Sequence, residues 1–170
     1  LSDQAVGVLR TNAVDLGVAD RMEIRPGDWA ADIDDGFDLI VSNPPYIPTN
    51  EIDGLAPEVS RFEPRLALDG GEDGMVAYRI ITAALPRLLK PGGAFALEVG
   101  LGQAEGVKAM AEAVGLTTSE PRRIPPSRTT STWSPTASAI GLSIRMAAGV
   151  PSRLLPPWLD TVIAETPAST

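Results

Sequence analysis

The 170-residue chain contains no cysteine and no histidine. Without cysteine it forms no disulfide, and no thiolate can ligate a metal. Without histidine, imidazole general-base catalysis is excluded, and nearly every transition-metal site goes with it, so no metal centre is expected. Whatever chemistry occurs must use carboxylates, amides, hydroxyls and backbone groups. The chain also lacks any run of about twenty apolar residues, the length a membrane-spanning helix needs. Its start, Leu1-Ser2-Asp3, has neither the basic region nor the apolar run of a signal peptide, and no initiating Met. It is expected to open as though cut from something longer.

What is present is ordinary for a globular domain, with 44% hydrophobic and 21% charged residues. The formal net charge of −8 is unevenly spread. Five Arg against Asp160 and Glu165 give residues 121–170 a net of +3, which leaves −11 for residues 1–120. A surface this acidic is a poor match for a phosphate backbone, so no direct nucleic-acid binding is expected.

Helical spacing of Val6, Leu9, Ala13 and Leu16 predicts a helix over Ser2–Leu16, with Gly17 to end it. Met22–Arg25 reads as a short strand. Phe37–Ser42 reads as a stronger one, with the apolar run of a strand buried on both faces. Residues 47–73, rich in Pro, Gly and acidic side chains, read as a long functional loop. A helix over Gly74–Leu89, kinked or shortened by Pro86 and closed by Lys90–Gly93, is followed by a strand over Ala94–Val99. A further helix spans Gln103–Val114. This order predicts a doubly wound α/β sheet. From about Pro121, Pro, Ser and Thr make up 22 of 50 residues, and the region reads as an irregular tail without sustained periodicity.

Asn43-Pro44-Pro45-Tyr46 directly follows the Phe37–Ser42 strand, where ligands sit in open α/β sheets. The two prolines stiffen the turn and leave carbonyls free to point into a cleft. The Asn43 side-chain oxygen and the Pro44 carbonyl can then both accept from one substrate NH₂ group. Holding both protons aims the nitrogen lone pair, which suits methyl transfer to a planar amide or amino nitrogen by orientation rather than strong base. Tyr46 can stack on the planar group and lend π-density near a sulfonium. The competing reading is a rigid turn followed by a buried Tyr. Asp28-Trp29, expected on the same sheet edge, offers an acceptor for an adenine amino group and a stacking surface. The competing reading there is a surface Asp beside a core Trp.

These residues resemble a known family. Gly-Asp-Trp over 27–29 and Phe-Asp-Leu-Ile-Val-Ser-Asn-Pro-Pro-Tyr-Ile-Pro over 37–48 are similar to the release-factor N5-glutamine methyltransferases. So are Phe62-Glu63-Pro64-Arg65-Leu66-Ala67-Leu68-Asp69-Gly70-Gly71, Leu89-Lys90-Pro91-Gly92-Gly93 and Leu97-Glu98-Val99-Gly100. The resemblance covers roughly residues 1–123. It implies a Rossmann-like class I S-adenosylmethionine-dependent methyltransferase, here N-terminally truncated. It also implies methyl transfer to the glutamine of a Gly-Gly-Gln loop in a peptide-chain release factor, in the cytoplasm. The implied roles are Asn43, Pro44, Pro45 and Tyr46 around the substrate glutamine, with Asp28, Trp29 and Asn43 at the cofactor. Arg65 and Glu98 are expected to be framework residues, Arg65 pairing with a carboxylate and Glu98 supporting a strand end.

The family's glycine-rich turn and ribose-binding acid have no counterpart in these residues. After Arg123 the family ending is replaced by a stretch expected to be disordered or aberrant, which the gene's other reading frames would test. The implied division is thus a partial catalytic domain over 1–123 and a tail over 124–170. Two alternatives stay open from the residues: a nucleic-acid amino-methyltransferase acting on adenine N6 or guanine N2, and an inactive fragment.

Overall fold

A computed structural model of the chain describes residues 3–120 and, as backbone only, residues 162–165. The expected tail over 124–170 lies outside the described residues apart from that last segment, and 162–165 is a strand where none was expected.

Helix α1 runs over Asp3–Asp15 and buries Val6 and Ala13. Gly17, at φ 65°, ends it as expected. The strand expected over Met22–Arg25 does not form. Its backbone leaves the preceding turn extended at Met22, but a strand persists by exchanging hydrogen bonds with a neighbour, and none runs beside it among the described residues. Arg25 is instead paired with Glu23 at 2.6 Å and Asp35 at 2.9 Å, all on the surface.

Strand β1, Phe37–Ser42, forms as expected, but it is not buried on both faces. Phe37 is buried, while Val41 is 42% exposed. Among the described residues the strand stands at the edge of the sheet, paired with one neighbour, and nothing there covers Val41. The 47–73 region is organised rather than loose. It holds a turn at Ile52–Gly54, helix α2 over Pro57–Ser60 and helix α3 over Arg65–Leu68. An isolated parallel bridge joins Ile47 to Asp69.

Helix α4, Val76–Leu88, buries Ala77, Tyr78, Thr82, Leu85 and Leu88 along one stripe. Pro86 removes a donor only in the final turn, and the helix stops two residues later. Strand β2, Leu89–Leu97, begins at once and runs parallel to β1. Lys90–Gly93, expected as a turn closing the helix, is therefore part of the strand. Phe37 faces Leu89 and Leu39 faces Ala94, so these residues bulge out of the ladder. Helix α5 follows over Ala104–Ala113, then β3 over Thr117–Thr118 and β4 over Val162–Glu165.

The sheet order is β1-β2-β4-β3, parallel between β1 and β2 and antiparallel elsewhere. The chain is thus α/β with a mixed sheet. Its main core joins Phe95 and Leu97, one face of β2, to Tyr78 and Leu85 of α4, Val107 and Ala111 of α5, and Leu116. Phe95 and Leu97 are fully buried, and burial of one such side chain contributes about 1.5–3 kcal/mol. A smaller cluster of Ile33, Phe37 and Leu88 closes the amino end of β1.

Candidate functional site

Because β1 and β2 are parallel neighbours, their carboxyl ends lie on one edge, in register through Ser42 and Leu97. The Glu98 N–H donates to the Ser42 carbonyl at 3.0 Å and carries the pairing past the strand ends. Asn43 to Tyr46 leave β1 at this edge. Pro44 is buried and Asn43 is exposed. Among the described residues no hydrogen bond takes the Asn43 side chain or the Pro44 carbonyl.

Tyr46 is half-buried and packs against the main core. Its hydroxyl donates to Glu98 Oε1 at 3.3 Å. Burial raises the Tyr46 hydroxyl above its ordinary value, and the Glu98 carboxylate adds to the shift. The Tyr78 hydroxyl, from α4, donates to the Glu98 carbonyl at 2.9 Å, and burial raises it as well. Glu98 therefore supports the end of β2, the framework role expected for it. Two tyrosines fix it from two sides.

The loop after Tyr46 is closed on itself. Ile47 N–H donates to Leu68 O at 3.0 Å, Gly70 N–H to Ile47 O at 2.9 Å and Thr49 N–H to Gly71 O at 2.9 Å. Arg65 binds Asp53 at 3.0 Å and lies 3.8 Å from Asp69, the carboxylate pairing expected of it. Asp69 also accepts from the Thr49 hydroxyl at 2.7 Å and the Gly71 N–H at 2.9 Å, and these bonds hold its carboxyl below the usual range.

Two further residues complete the frame, Tyr78, which the family resemblance also includes but to which no role was given, and Gln103, read only as the start of a helix. Gln103 lies directly before α5, and its Nε2 donates to the Tyr46 carbonyl at 2.9 Å. The only sequence signal for Gln103 is its place at a helix start without a short capping side chain.

Among the described residues no hydrogen bond or ion pair joins Asp28 or Trp29 to the Asn43–Tyr46 loop. Arg87, in the last turn of α4, donates to the carbonyls of Ile33 and Ala30, the latter at 2.9 Å. Those residues pack on Phe37 and Leu88 at the amino end of β1, away from Asn43. Met22–Arg25 has no ladder neighbour among the described residues, so the segment leading into Gly27–Trp29 is not held by the sheet. Asp28 is exposed and Trp29 half-buried. Trp29 holds φ at 52°, a left-handed value that is an outlier for a bulky side chain. Among the described residues no group of three or more acidic side chains could hold a metal ion, and no helix is long and apolar enough to cross a membrane.

No family model matches the chain. Individual relatives do. The release factor glutamine methyltransferase of Caulobacter vibrioides is 51% identical over 117 residues, 68% of this chain and 40% of that protein. Its namesake in Rhodospirillum rubrum is 53% identical over 112 residues, 66% of this chain and 34% of that protein. The chain belongs to the release factor glutamine methyltransferase family. A third member, from Cereibacter sphaeroides, is 49% identical over 116 residues, covering 68% of this chain and 42% of that protein. The chain spans about two fifths of the length of such relatives, and what it matches is part of a release factor glutamine methyltransferase catalytic domain. The family expected from the Asn43–Tyr46 and Phe62–Gly71 segments is borne out.

Proposed function

We propose that the chain is the catalytic part of a Rossmann-like, S-adenosylmethionine-dependent enzyme that methylates the side-chain amide nitrogen of a glutamine. Its substrate is the Gly-Gly-Gln loop of a peptide-chain release factor, and the place of action is the cytoplasm, where release factors meet ribosomes. The observation that supports this reading most directly is the Asn43–Tyr46 loop at the carboxyl edge of β1 and β2. The Asn43 side chain and the Pro44 carbonyl have no partner among the described residues, while the Tyr46 hydroxyl and carbonyl are engaged by Glu98 and Gln103. The family names of the relatives agree with it.

In this reading Asn43 Oδ1 and the Pro44 carbonyl accept the two protons of the substrate amide NH₂. Pro44 and Pro45 keep those acceptors from drifting, since their fixed φ removes backbone freedom. Tyr46 lies along the planar amide. An amide nitrogen is a weak nucleophile, so the contribution of these residues is orientation of the lone pair rather than removal of a proton before attack. S-adenosylmethionine supplies an electrophilic methyl on a sulfonium cation. Its positive charge suits the acidic surface of residues 1–120, net −11. Asp28 and Trp29 belong with the adenine end of the donor, and Asn43 with the methyl-bearing end. The same acidity disfavours nucleic acid as a partner.

The test is glutamine methylation of a release factor by the intact protein, with calorimetric titration of S-adenosylmethionine alongside. Asn43→Ala is expected to lower the transfer rate by about 100-fold, as misplacement of a reacting group does, while circular dichroism stays unchanged. An Asn43→Ala protein that transfers methyl at the wild-type rate would sink the assignment.

A further inference from the structure

Gln103 occupies the position before α5, with φ −90° and ψ −15°, and its side chain makes no capping bond to the helix. It turns to the site instead. Its Oε1 accepts from the Gly100 N–H at 3.0 Å. Its Nε2 donates to the Tyr46 carbonyl at 2.9 Å and to the Gly74 carbonyl at 3.4 Å. One planar amide therefore joins the loop after β1, the loop after β2 and the turn before α4.

The chemistry of this joint demands an amide. The Gly100 N–H requires an acceptor, and the carbonyls of Tyr46 and Gly74 require donors. A glutamine end group supplies both in a fixed plane, whereas a carboxylate has no donor and an ammonium no acceptor. The surroundings are shaped to this side chain. A Cβ on Gly100 would lie 2.6 Å from Gln103 Oε1 and 3.0 Å from Tyr46 Cδ2, and one on Gly74 would collide with the Tyr46 carbonyl oxygen and with Gln103 Nε2.

Tyr46 is thereby fixed at both ends, its carbonyl by Gln103 and its hydroxyl by Glu98. Among the described residues the Asn43 side chain has no such tie of its own. Its orientation is inherited through Pro44 and Pro45 from Tyr46 on one side and from β1 on the other.

We propose that Gln103 is a positioning residue for methyl transfer, acting through the Tyr46 carbonyl to set the Asn43–Tyr46 loop against the substrate amide. This rests on the methyltransferase reading above. Gln103 does not touch substrate or methyl donor. It decides how often the loop is in the reactive arrangement, so its loss lowers kcat more than it weakens binding of the donor.

The test compares Gln103→Met, which keeps the side chain's length and removes both hydrogen-bonding functions, with Gln103→Glu, which keeps only the acceptor. Both are made in the intact protein and assayed for glutamine methylation, for the Kd of S-adenosylmethionine and for amide exchange at Gly100. Gln103→Met is expected to lower kcat by about 10–100-fold, leave the donor Kd within about twofold, and abolish protection at Gly100 while Phe95–Leu97 stay protected. Gln103→Glu is expected to keep Gly100 protected yet lose kcat at neutral pH. Its kcat should recover partly as pH falls and the new carboxyl, once protonated, becomes a donor to the Tyr46 carbonyl. That pH profile is one a purely structural role would not produce. Wild-type kcat in Gln103→Met, with Gly100 deprotected, overturns the positioning role alone. Wild-type protein that methylates no glutamine overturns the reading beneath it, while loss of Gly100 protection in Gln103→Met still supports the joint itself.

Discussion

Two loops of this molecule were expected to share one site, and they are held in opposite ways. Asn43–Tyr46 follows a strand with a parallel neighbour and is fastened by residues from three distant segments, Gly74, Glu98 and Gln103. Gly27–Trp29 follows an extended segment that has no ladder partner among the described residues, and Arg87 holds the Ala30 and Ile33 carbonyls just beyond it. Proline stiffness and a tight turn shape a loop locally, but they do not place it. Placement comes from groups that arrive from elsewhere in the chain.

The contrast is open to direct attack. The largest effect is expected at Gly74, where φ is 71° and a Cβ would strike the Tyr46 carbonyl. Gly74→Ala should destabilise by at least about 2 kcal/mol, from overpacking and left-handed strain together. Denaturant unfolding measures this, and a loss below about 0.5 kcal/mol would show that the loop is not fixed there. Next comes Arg87→Ala, which should loosen the Gly27–Ile33 segment at a cost of about 1 kcal/mol, the ordinary worth of such hydrogen bonds. Proteolysis should then begin within that segment while Gly100 exchange is unchanged. Cleavage near Asn43 instead would break the claim that the two loops are independently held.

A smaller effect concerns acid. Asp69 is held below its ordinary 3.8 by the Thr49 hydroxyl and then by the Gly71 N–H. A lowered carboxyl means that the folded state binds fewer protons than the unfolded one. The stability it lends is complete above 3.8 and is lost as pH falls through the lower folded value. The Gly71 amide resonance should therefore titrate with a midpoint below 3.8, and Asp69→Asn should abolish that step. The smallest effect is expected for Gly27→Ala, where no atom lies within 4 Å of the added Cβ. It should move stability by less than about 0.5 kcal/mol, and a larger change would mean that this loop is packed after all.

What could be read beforehand follows the same division. Phe37–Ser42 was legible because an apolar run ends in two prolines that cannot continue a ladder. Asn43–Tyr46 was legible for the same reason, since both prolines act through bonds within four residues. Arg65 and Glu98 were legible as framework through family resemblance. Gln103 was not, because its partners Tyr46 and Gly74 stand 57 and 29 positions away, and a glutamine opening a helix is unremarkable by itself. Met22–Arg25 was over-read, since strand propensity supplies no neighbour. Val162–Glu165 was missed. Four residues carry too short a pattern to separate from the surrounding Pro, Ser and Thr, and the pairing with Leu97 spans 65 positions.

That last pairing has a consequence for the order in which the molecule can be assembled. Strand β4 lies between β2 and β3, so β3 reaches the sheet only through it. During synthesis, α4, β2 and α5 emerge and can collapse on one another while the chain is still growing. Thr117 and Thr118 must wait until residues 164 and 165 have been made. Until then the edge of β2 that will receive β4 stands open, a row of unpaired amides and carbonyls available to any passing strand. The long separation also makes this closure one of the slower steps, because loop entropy must be overcome before the pairing returns anything. A nascent chain stalled before residue 162 would thus hold a formed Asn43–Tyr46 edge and a sheet that is still exposed on its other side.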